Sequence, residues 1–102
     1  MFHVGQRVKC IDDAFTPERF IQMVELGMQA PVKGQVYTIR KAWFEEGEYG
    51  LLLTEIINPK HHFSKGLLEP GFYGYRFRTL LPGEMKIQEA LEEMACLMKG
   101  SQ

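Results

Sequence analysis

Four segments of this chain have the short length and apolar patterning of β-strands. Gly- and Pro-rich stretches separate them, and they read VGQRVKCI from Val4, KGQVYTIRKAWF from Lys33, YGLLLTEII from Tyr49 and YRFRTL from Tyr75. Several short strands within 102 residues favour a small closed or half-closed antiparallel β-barrel, an architecture that commonly serves as a binding module. The pattern therefore limits the possible fold class, but it does not indicate a reaction.

The second and third segments predict an antiparallel hairpin over residues 33–57 in a strongly bent sheet. A polar turn of sequence EEGE joins them, and the nearly continuous apolar run from Leu51 to Ile57 is typical of the most buried strand. A long connection from Lys60 to Gly74 follows. Long connections on a rigid scaffold often carry function.

A short helix is predicted between the first two strands. Thr16 supplies an N-cap hydroxyl and Pro17 fits the first helical position, so the helix should run from residue 17 to about residue 26. Gly27 is a suitable left-handed terminator. The apolar positions Phe20, Ile21, Val24 and Met28 predict that this helix covers one side or one end of the sheet.

A second, amphipathic helix is predicted after Pro82-Gly83. Ile87, Leu91, Met94 and Met98 fall on one side of this helix, and we call them the apolar stripe. Two interpretations stay open: the stripe packs on the chain's own barrel, or it pairs with a second copy or another protein. The chain thus divides into a β-barrel domain over residues 1–82 and a C-terminal helix over residues 83–102. The predicted class is mainly β within α+β.

Composition is that of one ordinary globular domain, with 45% hydrophobic and 25% charged residues. The formal net charge is −1, and the residues after Leu81 are acidic. No apolar run is long enough to span a bilayer, and the first residues enter a strand instead of a signal peptide. Two cysteines are too few for a disulfide framework. These features predict a cytoplasmic protein without membrane association.

Read in order, VGQRVKCIDD, PVKGQVYTIR, EIINP and YRFRTL resemble a recurrent group of small proteins encoded in bacteriophages and prophages. The resemblance covers about residues 2–80. It implies an SH3-like barrel and a bacterial host cytosol, and it implies no activity. Thr79 stands where the pattern has a proline after RFR, and the helix from Gly83 lies outside the pattern.

Catalytic and metal-binding motifs are absent from the sequence. Cys10 with His3, His61 or His62 would supply a thiol and a base, but no nucleophile elbow or cysteine-enzyme signature accompanies them. The negative charges of the aspartates at positions 12 and 13 disfavour a thiolate at Cys10. The two cysteines form no Cys-x-x-Cys pair, adjacent histidines usually point apart, and no phosphate-binding Gly-rich loop is present. We therefore predict no enzyme activity, no cofactor and no metal.

The sequence favours a non-catalytic interaction module that binds a protein partner, with a host-encoded protein as one candidate and a second copy as another. The alternative is a nucleic-acid-binding accessory or regulatory protein, in which Arg76 and Arg78 share a strand face and bind phosphates beside stacking aromatic rings. The near-neutral net charge opposes this alternative. The predicted binding residues are Tyr37, Arg40, Trp43, His61, His62, Phe72, Tyr73, Arg76 and Arg78.

Overall fold

The computed structural model describes residues 2–100, with side chains as far as residue 96. Met98, the last member of the apolar stripe, therefore lies outside the described side chains. The elements in chain order are β1 Arg7–Cys10, α1 Pro17–Glu25, β2 Val36–Glu45, β3 Glu48–Leu53, β4 His61–Phe63, β5 Gly66–Leu68, β6 Phe72–Tyr73, a 3-10 turn Gly74–Arg76, β7 Phe77–Thr79 and α2 Pro82–Gly100.

Five strands form one antiparallel sheet in the order β6-β3-β2-β1-β7. The ten-residue strand β2 pairs with β1 through its first half and with β3 through its second half. The register shifts between Ile39 and Lys41, an irregularity of the kind that bends a strand. The predicted hairpin over residues 33–57 and the α+β class are confirmed.

A closed or half-closed barrel was expected, and the strands of the described residues form no closed barrel. Closure would require the two ends of the strand order, β6 and β7, to pair with each other, and no such pairing is present among residues 2–100. β6 has two residues and β7 has three, so neither offers the length of backbone that a closing ladder needs.

The core lies on one side of this sheet. Leu51 and Leu53 of β3 belong to it, and Leu52 between them is buried as well, which confirms that this strand is the most buried. Val8 and Cys10 of β1 alternate inward as a half-exposed strand requires. Apolar side chains from β2, β6 and β7 complete the cluster, together with Met23 of α1: Tyr37, Ile39, Phe72 and Phe77.

The helix α1 begins and ends where its sequence predicts. The Thr16 hydroxyl accepts a hydrogen bond from the Arg19 amide at 3.2 Å, and Gly27 adopts a φ of +70°, a conformation that favours glycine. Only Met23 of this helix is buried. The expected apolar face is instead exposed, because the helix contacts the core with one edge of its apolar arc; the exposed members are Phe20, Ile21 and Val24.

The connection after β3 is not the structureless loop that the sequence predicted. β4 and β5 pair as a small hairpin in which His61 lies opposite Leu68 and Phe63 opposite Gly66. Lys65 at its turn forms an ion pair with Glu45 of β2. Short-range alternation in three-residue strands is too weak a signal to distinguish them from a loop.

Candidate functional site

A groove of about 1040 Å³ lies among the described residues. The segment before α1 and α1 itself form one wall, β4 forms the other, and β6 with the 3-10 turn forms the floor. Its lining combines aromatic and apolar side chains with polar and charged ones, and concave surfaces that carry both kinds of side chain are candidate binding sites. We call it the aromatic groove; its aromatic members are Phe15, Phe63, Phe72, Tyr73 and Tyr75.

Tyr73 and Tyr75 form the accessible aromatic surface of this groove. Their rings stack with centroids 5.5 Å apart and planes 19° apart, and each residue is 53% exposed. Phe72 precedes them in β6 but is buried in the core. Phe72 and Tyr73 were both predicted to bind, but they are adjacent in the chain and their side chains point in opposite directions. Tyr73 is exposed on the groove, whereas Phe72 mainly supports the floor.

Arg76 was predicted to share a strand face with Arg78, and this is wrong because β7 begins one residue later, at Phe77. Arg76 is 8% exposed. Its Nη1 donates to the Asp12 carbonyl at 3.3 Å, to Asp12 Oδ1 at 3.3 Å and to the Ala14 carbonyl at 3.0 Å. The guanidinium also lies 3.9 Å from the centroid of the Phe15 ring. Arg76 thus fixes the segment that forms one groove wall.

His61 and His62 both line the aromatic groove. His61 is half-buried, and its Nε2 atom is buried without a hydrogen-bond partner among the described residues. Buried polar atoms ordinarily have partners, so this nitrogen is an exception among the described residues. His62 is exposed beside it.

Trp43 lies at a neighbouring cavity of about 260 Å³ that shares Gly71, Phe72 and Tyr73 with the groove. Its indole ring rests directly on Gly50 and Gly71, where any Cβ would overlap it. Both glycines are therefore required by close approach of the ring. The predicted residue Trp43 thus borders the groove's floor without lining the groove itself.

Tyr37 and Arg40 have internal roles in the structure. Tyr37 is buried, and its hydroxyl accepts a hydrogen bond from the Val32 amide at 2.8 Å. Arg40 Nη2 donates to both carboxylate oxygens of Glu69, at 3.0 and 2.8 Å, and its Nε donates to the Leu53 carbonyl at 3.0 Å. These contacts attach the segment before β6 to β2 and leave neither side chain in the groove.

Arg78 lies on the opposite, outer face of the sheet. Its Nη1 and Nη2 donate to the two oxygens of Glu84 in α2 at 2.7 and 2.8 Å. This bidentate pairing raises the pKa of Arg78 and, with the Leu81 amide and Lys9 also donating, holds the pKa of Glu84 well below its usual range. Arg78 is thus separated from the other predicted binding residues.

Sequence reasoning missed the contribution of the residues before α1. Ala14 and Phe15 line the groove, and Arg76, more than sixty positions later, contacts the Ala14 carbonyl and the Phe15 ring. No local signal marks such a contact. Packing of the C-terminal helix on its own domain was one of the two interpretations, but the acidic face through which α2 contacts the sheet was missed, although acidic residues eight positions apart on a helix and alternating cations on β1 are complementary patterns.

The Cys10 thiol is buried, and burial raises its pKa, which disfavours the thiolate that nucleophilic chemistry uses. Within residues 2–100, no three side chains of the histidine, cysteine and carboxylate types come together as a metal would require. None of the helices in this part of the chain has the length and apolarity of a bilayer span. Comparison with family models, curated proteins and solved structures found no match to this chain.

Proposed function

We propose that this protein is a non-catalytic interaction module that binds an extended segment of a protein partner in the aromatic groove. The observation that carries the proposal is the stacked, half-exposed pair Tyr73 and Tyr75, which lines the aromatic groove. Exposed tyrosines supply a large contact area, and aromatic anchors dominate many protein interfaces.

We assign the sheet to the SH3-like class as part of this proposal. Support comes from the connectivity: β2, β3 and β6 are successive neighbours, β7 returns to pair with β1, and a 3-10 turn precedes β7. The resemblance to small phage and prophage proteins further suggests a partner encoded by a bacterial host and a site of action in the host cytosol.

The groove is tested by a pull-down from bacterial extract with and without nuclease. We expect the double variant Tyr73→Ala/Tyr75→Ala to capture at least tenfold less of the protein partners that the native chain retains, because the exposed rings are removed while the core stays intact. Phe44→Ala is the matched control, since Phe44 is an exposed aromatic residue outside the groove. Equal capture by all three proteins, each folded by circular dichroism, would exclude the groove.

Self-association is a second form of the same function, favoured by the exposure of the apolar stripe. Its described members are 64% exposed at Ile87, 55% at Leu91 and 59% at Met94. A second copy of α2 would cover this surface. Replacing Leu91 and Met94 together with glutamate should convert a dimer into a folded monomer, measured by light scattering and circular dichroism. A native chain that stays monomeric at high concentration contradicts self-association.

A further inference from the structure

Three cations form a continuous line on the outer face of the sheet. Arg7 and Lys9 point outward from β1, because Val8 and Cys10 between and after them are buried. Lys9 lies opposite Arg78 of β7 in the strand register, so these two side chains share one face. Residues two apart on a strand are about 7 Å apart. We call Arg7, Lys9 and Arg78 the basic row.

The helix α2 covers the basic row with an acidic stripe formed by Glu84 and Glu92, with Gln88 between them. Glu84 accepts from Lys9 Nζ at 3.0 Å as well as from Arg78. Glu92 accepts from Nε and Nη2 of Arg7, both at 2.6 Å. These three helix residues are partly buried, and their spacing of four places them on one face of the helix.

Charge pairs, and not apolar packing, attach this helix to the sheet. None of the described side chains of α2 belongs to the buried core, and the apolar stripe faces solvent. Ion pairs at a protein surface are individually weak and are screened by salt. A helix attached in this way separates from its sheet far more readily than one held by a buried apolar face.

Local charge also changes sign between the two parts. Residues 1–81 contain ten basic and nine acidic side chains, whereas residues 82–102 contain two basic and four acidic ones. The net charge of −1 for the whole chain thus hides a basic surface beneath an acidic helix.

We propose that the basic row is a binding site for the phosphate backbone of a nucleic acid, and that α2 is a reversible cover over it. Guanidinium groups that bind carboxylates in bidentate fashion bind phosphates with the same geometry. The carboxylates of Glu84 and Glu92 therefore occupy the positions that backbone phosphates take when the helix moves away.

Charge density identifies the ligand that displaces the cover. Because α2 is tethered, it competes for the basic row at an effective concentration in the millimolar range. A free acidic helix with the same two carboxylates therefore does not displace it. Eight helical residues span about 12 Å, in which α2 presents two charges to the row. Duplex DNA presents about seven charges in that length, at one per 1.7 Å. A nucleic acid outcompetes α2 where an acidic protein helix does not.

The first experiment measures opening by hydrogen exchange of the full chain at low and high salt. Amides in residues 84–96 should exchange faster as salt rises, while those of β2 and β3 should not change, because most helical stability in proteins comes from tertiary contacts, which α2 loses when it separates from the sheet. Salt-independent protection of α2 would overturn the cover.

The second experiment measures binding of a short fluorescent DNA duplex by anisotropy at low salt. The full-length variant Glu84→Gln/Glu92→Gln should bind roughly 5- to 30-fold more tightly than the native chain, because it removes the competing state. Its matched control is Glu89→Gln/Glu93→Gln, which changes the net charge of the same helix equally at two exposed positions. We expect less than a twofold change from the control.

Two further arms decide between ligands and between surfaces. Replacing Lys9 with Gln, or Arg7 and Arg78 with Gln together, in the uncovered variant should weaken duplex binding and flatten its salt dependence, with circular dichroism checking the fold. The native basic row should give a slope of about −3 in log affinity against log salt. Absence of duplex binding, equal tightening by the control, or displacement by poly-glutamate at the same charge concentration would each overturn the proposal.

Discussion

Replacing Arg76 with Met tests whether this arginine is a structural clamp or a free binding residue. Methionine keeps much of the aliphatic volume and removes the guanidinium, so the Ala14 carbonyl, bound at 3.0 Å, and the ring contact with Phe15 at 3.9 Å are both lost. A hydrogen bond to a charged donor contributes about 1.5–3 kcal/mol, and a cation over a ring about 0.5–2 kcal/mol. The Asp12 carboxylate is 39% exposed, so its ion pair adds little.

The expected loss in the free energy of unfolding is therefore about 2–5 kcal/mol, or about 8–40 °C in Tm for a domain of this size. Urea denaturation followed by circular dichroism measures it. Arg19→Met is the control, because Arg19 is an exposed arginine on the same groove, and exposed substitutions change stability by about 0.5 kcal/mol or less. A loss below about 1 kcal/mol in Arg76→Met would refute the clamp.

Three other predictions follow from packing and ionisation. Gly50→Ala should destabilise the fold by about 1–3 kcal/mol because its Cβ overlaps the Trp43 ring, whereas Gly83→Ala, in open space, should not; urea denaturation compares them, and equal effects contradict the close approach. A thiol reagent should modify exposed Cys96 in the folded protein and buried Cys10 only on unfolding; a single reaction phase for both contradicts this. Hydrogen bonds from the basic row lower the pKa values of the Glu84 and Glu92 carboxyls. The docking of α2 should therefore be complete above the ordinary glutamate pKa of 4.5, and it should be lost as the pH falls through the lowered pKa values. NMR shifts of α2 amides that change between neutral pH and pH 5 would be contrary to that sign.

The parts of the fold that the sequence predicts correctly are those with local causes. The Thr16 cap and Gly27 terminator define α1 within a dozen residues, and the polar EEGE turn followed by the continuous apolar run from Leu51 defines the central hairpin. The fate of Arg76 has no such local cause, because its partners lie 62 and 64 residues away. Arg76 lies in a 3-10 turn one residue before β7, and from this position its side chain contacts the segment before α1 instead of facing solvent.

The docking of α2 illustrates a different limit of sequence reasoning. Amphipathicity predicts that an apolar stripe is the contact face of a helix. Here the core side of the sheet is already filled by Met23 and by side chains from the strands, and the outer face carries the basic row. The helix contacts the sheet with its acidic stripe, and the described members of the apolar stripe are exposed.

The same reasoning governs how arginines contribute to binding. Four of the five arginines in the chain pair with carboxylates of their own chain: Arg7 with Glu92, Arg40 with Glu69, Arg76 with Asp12 and Arg78 with Glu84. Two of these pairs join strand or turn to loop inside the domain, and two join the sheet to a helix that carries no core residue. Only the second kind separates without unfolding the sheet. Affinity for an anionic ligand is therefore set by the equilibrium of α2, and a count of basic residues does not predict it.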